Sequence, residues 1–182
     1  SEAEAEEEMM MYTGELLEAE GRRARLRLLE TGVDAAEAAP PRLVLACAVV
    51  KGRRFEWALE KAVELGVHEI RPLATERGEA RPRELRPERW RGVLRAATKQ
   101  SGRSWIPRLA GTSDLAGALA AGAAGRILFG DTEGLAAEGG TVPAPTLAAC
   151  LAGPVDAAAP PELLFCVGPE GGWTDAERRL LL

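Results

Sequence analysis

A short apolar run, followed by a glycine-rich turn and the start of a helix, is the feature that most constrains the fold of this chain. The run comprises residues 163–167 and lies between Pro161 and Gly168. Five apolar residues with these boundaries are typical of a strand buried on both faces, as in a parallel sheet. Thr174 and Glu177 follow at the spacing of a capping box, in which each side chain bonds the backbone N–H of the other residue. The stretch therefore predicts a strand, a loop and a helix in that order.

The same alternation of strand-like and helix-like patterns recurs along the chain. Apolar runs that favour strands occupy residues 43–50, 67–74 and 126–130, with a shorter candidate at 104–109. Helical patterns mark residues 53–65, 86–101 and 113–121, whereas residues 133–160 are expected to be loop with one short helix. Strands that alternate with helices predict an α/β fold with a mostly parallel sheet flanked by helices. Ligands of such sheets bind at the carboxyl ends of the strands, which makes the loop after residue 167 a candidate site.

This loop, residues 168–172, is called the glycine loop below because it contains Gly168, Gly171 and Gly172. Glycine lacks a Cβ atom, so the backbone can approach a ligand closely or adopt a positive φ. The loop has no Gly-Lys-Ser/Thr sequence and is therefore not a Walker A phosphate loop. Glu170 would repel a phosphate, whereas a neutral or cationic ligand suits its carboxylate. A tight turn that needs glycine for its geometry alone is the alternative interpretation.

Length and composition indicate one main domain with a small appendage. The chain has 182 residues, of which 46% are hydrophobic, enough for one good core. We divide it into a β segment with an acidic start at 1–34, a linker at 35–40 and a main domain at 41–182. Cys47, Cys150 and Cys166 lie far apart and there is one His, so we expect reduced thiols in a cytoplasmic protein and no metal site. No apolar run reaches the length of a membrane span.

Charge is unevenly distributed along the chain. The whole sequence carries −5, but residues 1–20 contain eight Glu and no Lys or Arg, so the remainder carries +3. Residues 71–108 contain ten Arg and one Lys against four Glu, a charge of +7. Such a basic stretch is typical of a protein with an anionic partner. A solvated helix face, on which Glu84 and Glu88 offset neighbouring Arg, is the alternative.

Five short motifs, taken in order, resemble one family of enzymes. They are Lys51-Gly52, Lys61 with Glu64-Leu-Gly-Val67, Thr75-Glu-Arg77, Gln100 with Arg103 and Pro107, and Gly168-Pro-Glu-Gly-Gly172. They resemble the bacterial ribosomal RNA methyltransferases that act on N3 of a uridine in small-subunit RNA. That family belongs to the SPOUT class, which has a trefoil knot. The resemblance covers residues 40–182 and implies that residues 1–34 are part of a PUA-like RNA-binding domain. It also implies a methyltransferase domain that continues beyond Leu182.

The resemblance implies S-adenosylmethionine as cofactor and assigns residues to it and to the reaction. The expected cofactor-binding residues are Phe129, Gly130, Gly168, Pro169, Glu170, Gly171 and Gly172. Arg77 and Arg103 are candidates for stabilising negative charge on the uracil during methyl transfer. Glu76 is a weaker candidate, as the base. Phosphate binding by Arg77 and pairing of Glu76 with a neighbouring Arg are the alternative roles.

The basic stretch is expected to contact ribosomal RNA. The residues expected to do so are Arg81, Arg83, Arg86, Arg95, Lys99 and Gln100. Trp173, beside the glycine loop, is a candidate contact for a ligand or a partner subunit. The family also implies a homodimer without a membrane or metal partner. A non-catalytic RNA-binding module, a methyltransferase of another RNA site and a different nucleotide-binding α/β domain are the competing functions.

Overall fold

A computed structural model describes residues 10–33, 41–78, 85–122, 125–131, 135–137, 140–142 and 162–182. The strands in these ranges are β1 Met10–Glu20, β2 Arg23–Val33, β3 Arg42–Ala48, β4 Glu69–Leu73, β5 Arg108–Leu109, β6 Arg126–Phe129, β7 Leu135–Ala137, β8 Gly140–Val142 and β9 Glu162–Val167. The helices are α1 Arg53–Glu64, α2 Pro87–Ser101, α3 Leu115–Ala120 and α4 Asp175–Leu181.

Five of these strands form one parallel sheet in the order β5-β4-β3-β9-β6. Alternate residues of β3 point to opposite faces, as in any strand. Val44 and Ala46 belong to one buried cluster, with residues of α3 and α4, while Cys47 belongs to another, with residues of α1 and α2. The sheet therefore lies between two helical layers. This confirms the predicted α/β class with a mostly parallel sheet flanked by helices.

The predicted elements of the main domain are confirmed within a few residues, apart from one region. Gly66 follows α1 with φ +78°, the left-handed conformation expected after a helix end. Residues 135–137 and 140–142 form the antiparallel pair β7–β8, although loop and one short helix were predicted there. That expectation was wrong for this hairpin because Leu-Ala-Ala and Gly-Thr-Val are too short to show a strand period. Residues 143–160 lie outside the described part of the chain.

The N-terminal segment forms an antiparallel hairpin of β1 and β2. Both strands lie within residues 1–34, the part of the chain expected to be a β segment. The predicted linker at 35–40 lies outside the described residues, and the domain division stays a prediction. No helix in the described part of the chain is both long and apolar enough to cross a membrane.

A buried ion-pair network lies at the amino ends of the strands, the edge of the sheet opposite the glycine loop. Glu69 begins β4, and its side chain is 1% exposed. One carboxylate oxygen accepts from Arg71 at 2.8 Å and Arg108 at 2.9 Å, and the other accepts from Arg42 at 2.9 Å. Burial would raise the pKa of this carboxyl, but the arginine hydrogen bonds outweigh it and lower the pKa to about 2.

Arg71 extends the network to the helical layer. Its side chain is 3% exposed, and its guanidinium also donates to the carbonyl oxygens of Ala118 at 2.8 Å and Gly122 at 3.0 Å. These carbonyls lie at the C-terminal end of α3, where backbone acceptors lack partners within the helix. Arg71 therefore ties α3 to the sheet, and Glu69 neutralises the charge that this requires.

Candidate active site

The glycine loop is anchored by Trp173. This side chain is 1% exposed, and its indole N–H donates to the carbonyl of Gly130 at 2.9 Å. A Cβ atom on Gly168 would lie 2.8 Å from Cε2 of Trp173, closer than packed atoms tolerate. Glycine at position 168 is therefore required by packing against the indole. Trp173, proposed above as a ligand or partner contact, lies instead in the core, where it joins two loops.

The second of these loops follows β6. β6 pairs with β9, with Phe129 opposite Cys166, and the Gly130 N–H reaches the Cys166 carbonyl at 3.4 Å. In the next residue, Asp131 accepts two hydrogen bonds from the Arg178 guanidinium in α4, at 2.7 and 3.2 Å. The structure thus brings the predicted cofactor residues of both loops together at the carboxyl edge of the sheet.

The helix after the glycine loop begins with the predicted capping box, which is confirmed. The Glu177 N–H donates to Oγ1 of Thr174 at 3.3 Å, and the Thr174 N–H donates to a Glu177 carboxylate oxygen at 2.8 Å. The other Glu177 oxygen accepts from the Glu76 N–H at 3.3 Å. The carboxylate therefore joins α4 to the segment after β4 as well as closing the cap.

Arg77 holds the glycine loop from the same segment. Its Nη1 atom donates to the carbonyl oxygens of Gly171 and Trp173, each at 3.1 Å. A Cβ atom on Gly171 would lie 3.3 Å from Cβ of Arg77, so the two backbones are close. The Arg77 side chain, predicted to be catalytic, thus positions the glycine loop in the structure. Whether it also acts on the uracil stays a prediction.

A cavity of about 500 Å³ opens between the glycine loop and the start of α1. It is lined by Val50, Lys51, Gly52, Arg53, Arg54, Arg77, Pro169, Glu170 and Gly171. The Glu170 carboxylate, expected from the sequence to suit a neutral or cationic ligand, forms an ion pair with Arg54 across the cavity. We refer to this space as the basic cavity.

The two described cysteines are buried and free. Burial raises the pKa of the Cys47 thiol to about 11 and that of Cys166 to about 11. A thiol with so high a pKa is a poor nucleophile at neutral pH, so these residues act as small core side chains. Cys150 lies outside the described residues.

Comparison with known proteins identifies the class of this domain. The family model described as RNA methyltransferase domain matches residues 37–182. The chain belongs to this RNA methyltransferase family. Its confirmed motifs, the strand, the glycine loop and the capped helix, all fall within the matched region.

Individual relatives of the RNA methyltransferase domain agree with this assignment. The chain is 34% identical over 164 residues to the ribosomal RNA small subunit methyltransferase E of Synechocystis, covering 86% of this chain and 48% of that protein. The chain thus spans about half the length of this curated relative. A Neisseria gonorrhoeae methyltransferase E, crystallised with S-adenosyl methionine, shares 27% identity at TM-score 0.70, covering 94% of this chain and 66% of that one.

The fold is shared more widely. A Legionella pneumophila methyltransferase solved with its cofactor has a TM-score of 0.68 at 24% identity, covering 95% of this chain and 66% of that one. Together these structures confirm the SPOUT-class methyltransferase fold.

Arg103 lies at the opposite edge of the RNA methyltransferase domain. Its guanidinium donates to the carbonyl of Glu64 at 2.5 Å and packs on Gly66. α1 has 12 residues, about 18 Å at 1.5 Å per residue, and this length separates Arg103 from the basic cavity. The structure does not bring Arg103 together with Arg77 and Glu76 within one chain. Its catalytic role stays a prediction.

The predicted RNA contacts fall into two groups. Arg86, Arg95, Lys99 and Gln100 are exposed along α2, and Arg86 also lines a smaller cavity of about 380 Å³ that shares residues 50–53 with the basic cavity. Arg81 and Arg83 lie outside the described residues. RNA binding by all six stays a prediction.

Sequence reasoning missed Asp131, Arg178 and Arg54, which hold or face the two loops. A signal existed for the first pair. Asp131 directly follows the end of a predicted strand, and Arg178 is the fourth residue of the capped helix. A carboxylate thus lies at the end of the strand and a guanidinium near the start of the helix. The Arg54–Glu170 ion pair could not be predicted, because the sequence does not show that β3 and β9 are neighbours in the sheet.

Proposed function

We propose that this domain belongs to an S-adenosylmethionine-dependent methyltransferase that modifies N3 of a uridine in small-subunit ribosomal RNA. The Synechocystis and Neisseria relatives are named ribosomal RNA small subunit methyltransferase E, and the uridine N3 target comes from the family that the sequence motifs resemble. The chain covers only part of their length, so the proposal extends the activity of whole relatives to the protein that contains this domain.

The observation that carries the proposal is the pair of loops that Trp173 joins. Residues 129–130 and the glycine loop follow adjacent parallel strands, the position at which α/β sheets bind ligands. A Cβ atom on Gly130 would meet nothing within 4 Å, so this backbone borders open space. Such space beside glycine backbone suits adenine, a flat neutral base that can be bound without charged side chains.

The reaction places clear demands on the chain's own residues. Bound S-adenosylmethionine supplies a methyl group activated by the sulfonium. The uridine N3–H proton must leave, and Glu76, whose side chain is exposed beside Arg77, is the candidate acceptor. Negative charge then spreads onto the uracil oxygens, where a guanidinium would stabilise it. N3 lies on the base-pairing edge, so the uridine must be unpaired when it reacts.

We further propose that the protein is a cytoplasmic homodimer. Arg103 lies about one α1 length from the basic cavity of its own chain, so a role on the uracil would require a second copy to bring it there. The buried, free Cys47 and Cys166 are compatible with a reducing compartment.

The test is methyl transfer to small-subunit RNA followed by nucleoside mass spectrometry. We expect 3-methyluridine to form only when both S-adenosylmethionine and protein are present. Gly168→Ala should displace the Trp173 indole at a cost of about 1–3 kcal/mol, which corresponds to about 5- to 150-fold weaker cofactor binding if the whole cost falls on the loop.

Gly111→Ala is the matched control. A Cβ atom there meets nothing within 4 Å, so cofactor affinity should be unchanged. Methylation of a base other than uridine, or equal cofactor affinity in the two variants, would contradict the proposal.

A further inference from the structure

The basic cavity carries an excess of positively charged side chains. Lys51, Arg53, Arg54 and Arg77 line it against the single carboxylate of Glu170. That carboxylate is already paired with Arg54. S-adenosylmethionine carries a sulfonium, an ammonium and a carboxylate, and hence a net positive charge. A cavity with this excess of cations disfavours such a ligand and favours an anion.

The cations continue beyond the cavity along one surface. The smaller cavity next to it adds Arg86 and Arg89, with Glu56 as the carboxylate that Arg89 pairs. The two cavities share residues 50–53. Together they present six cationic side chains against two carboxylates, and residues 51–54 are all exposed. A continuous row of exposed cations suits a chain of phosphates better than a single anion.

We propose that the basic cavity binds phosphates of the substrate RNA strand next to the target nucleotide, and that it is not part of the cofactor pocket. The inference rests on the proposed function for the identity of the polyanion. The glycine loop then separates two ligands, with RNA on the α1 side and the cofactor on the β6 side. Lys51 and Arg53 are RNA-binding residues in this arrangement, although no motif assigned them to RNA.

The experiment compares Lys51→Ala, Arg53→Ala and the double variant with Lys61→Ala. Lys61 is a matched control because it lies on α1, the helix that begins at Arg53, and pairs with Glu60 and Glu64 away from the cavity. Binding of a uridine-containing single-stranded RNA is measured by fluorescence anisotropy across a salt series. S-adenosylmethionine binding is measured by calorimetry on the same proteins.

Each cavity variant should bind RNA about fivefold more weakly at 0.1 M salt, with a log–log salt slope smaller by about 0.7, since one phosphate contact is lost. The double variant should lose about 25-fold, while Lys61→Ala retains wild-type binding and all variants retain cofactor affinity. RNA binding that is unchanged, or cofactor affinity that falls as much as RNA affinity, overturns the inference. Absent methyl transfer by the wild-type protein, together with the expected RNA losses, would refute the proposed function while the cavity assignment stands.

Discussion

Arg77→Ala is expected to weaken S-adenosylmethionine binding about 100-fold. The side chain donates to the Gly171 and Trp173 carbonyls at 3.1 Å each, and a hydrogen bond from a charged group contributes about 1.5–3 kcal/mol. Loss of both would release the glycine loop from the segment after β4, and about 2.7 kcal/mol corresponds to 100-fold in affinity. Calorimetric titration of the cofactor measures this directly.

Arg77→Lys separates positioning from charge. A lysine keeps the cation but loses the planar fork of donors that Arg uses to bridge acceptors, so cofactor affinity should fall to an intermediate value. Arg95→Ala, an exposed arginine on α2, is the control and should leave cofactor affinity unchanged. If Arg77 acted only on the uracil, Arg77→Ala would retain cofactor affinity and lose single-turnover methylation at saturating RNA. That result would support the role of Arg77 predicted from the sequence, in which it acts on the uracil alone.

Glu69→Gln should lower the free energy of unfolding by about 3–5 kcal/mol, because it leaves the buried Arg71 guanidinium with only the more distant Glu162 carboxylate, at 4.0 Å, as counter-charge. Glu60→Gln is the matched control. Its ion pair with Lys61 is exposed, so the cost should stay below about 1 kcal/mol. Urea unfolding of both variants at neutral pH provides the measurement, and equal midpoints would contradict a structural role for the Glu69 network.

The contribution of Glu69 should also depend on pH in a defined window. Its pKa falls from an ordinary value of 4.5 to about 2 in the folded protein, so the unfolded chain binds the proton first as pH falls. The stabilisation is complete above about pH 4.5 and is lost progressively toward pH 2. The stability difference between wild type and Glu69→Gln should shrink across that interval. A difference that stays constant would show that Glu69 does not titrate as described.

Local features of the fold could be predicted from the sequence because short-range rules decide them. The capping box of Thr174 and Glu177 needs only a three-residue spacing, and the glycine at position 66 needs only a helix end. The strand–loop–helix order around residues 163–181 follows from patterns of a few residues each. These rules also located the glycine loop at the edge of the sheet where ligands bind.

Contacts between distant segments could not be predicted, because they depend on strand order and register. Glu69 meets Arg108 and Arg42 because β4 lies between β5 and β3 in the sheet, and no pattern along the chain indicates that order. The same applies to Arg77, whose motif is visible in the sequence but whose contacts with the glycine loop reach across the end of β3. Arg103 is a different case, since its motif predicts a role in the site that the fold of one chain does not provide, and that role stays a prediction.

We expect residues 129–131 and 168–173 to hold the cofactor on the β6 side of the glycine loop, and residues 51–54, on the α1 side, to make no contact with it. Titration of ¹⁵N-labelled protein with S-adenosylmethionine, followed by backbone amide shifts, tests it most directly. We expect the largest changes at residues 129–131 and 168–173, with small changes at Lys51, Arg53 and Arg54. Shift changes centred on residues 51–54, with none at 129–131, would contradict the claim.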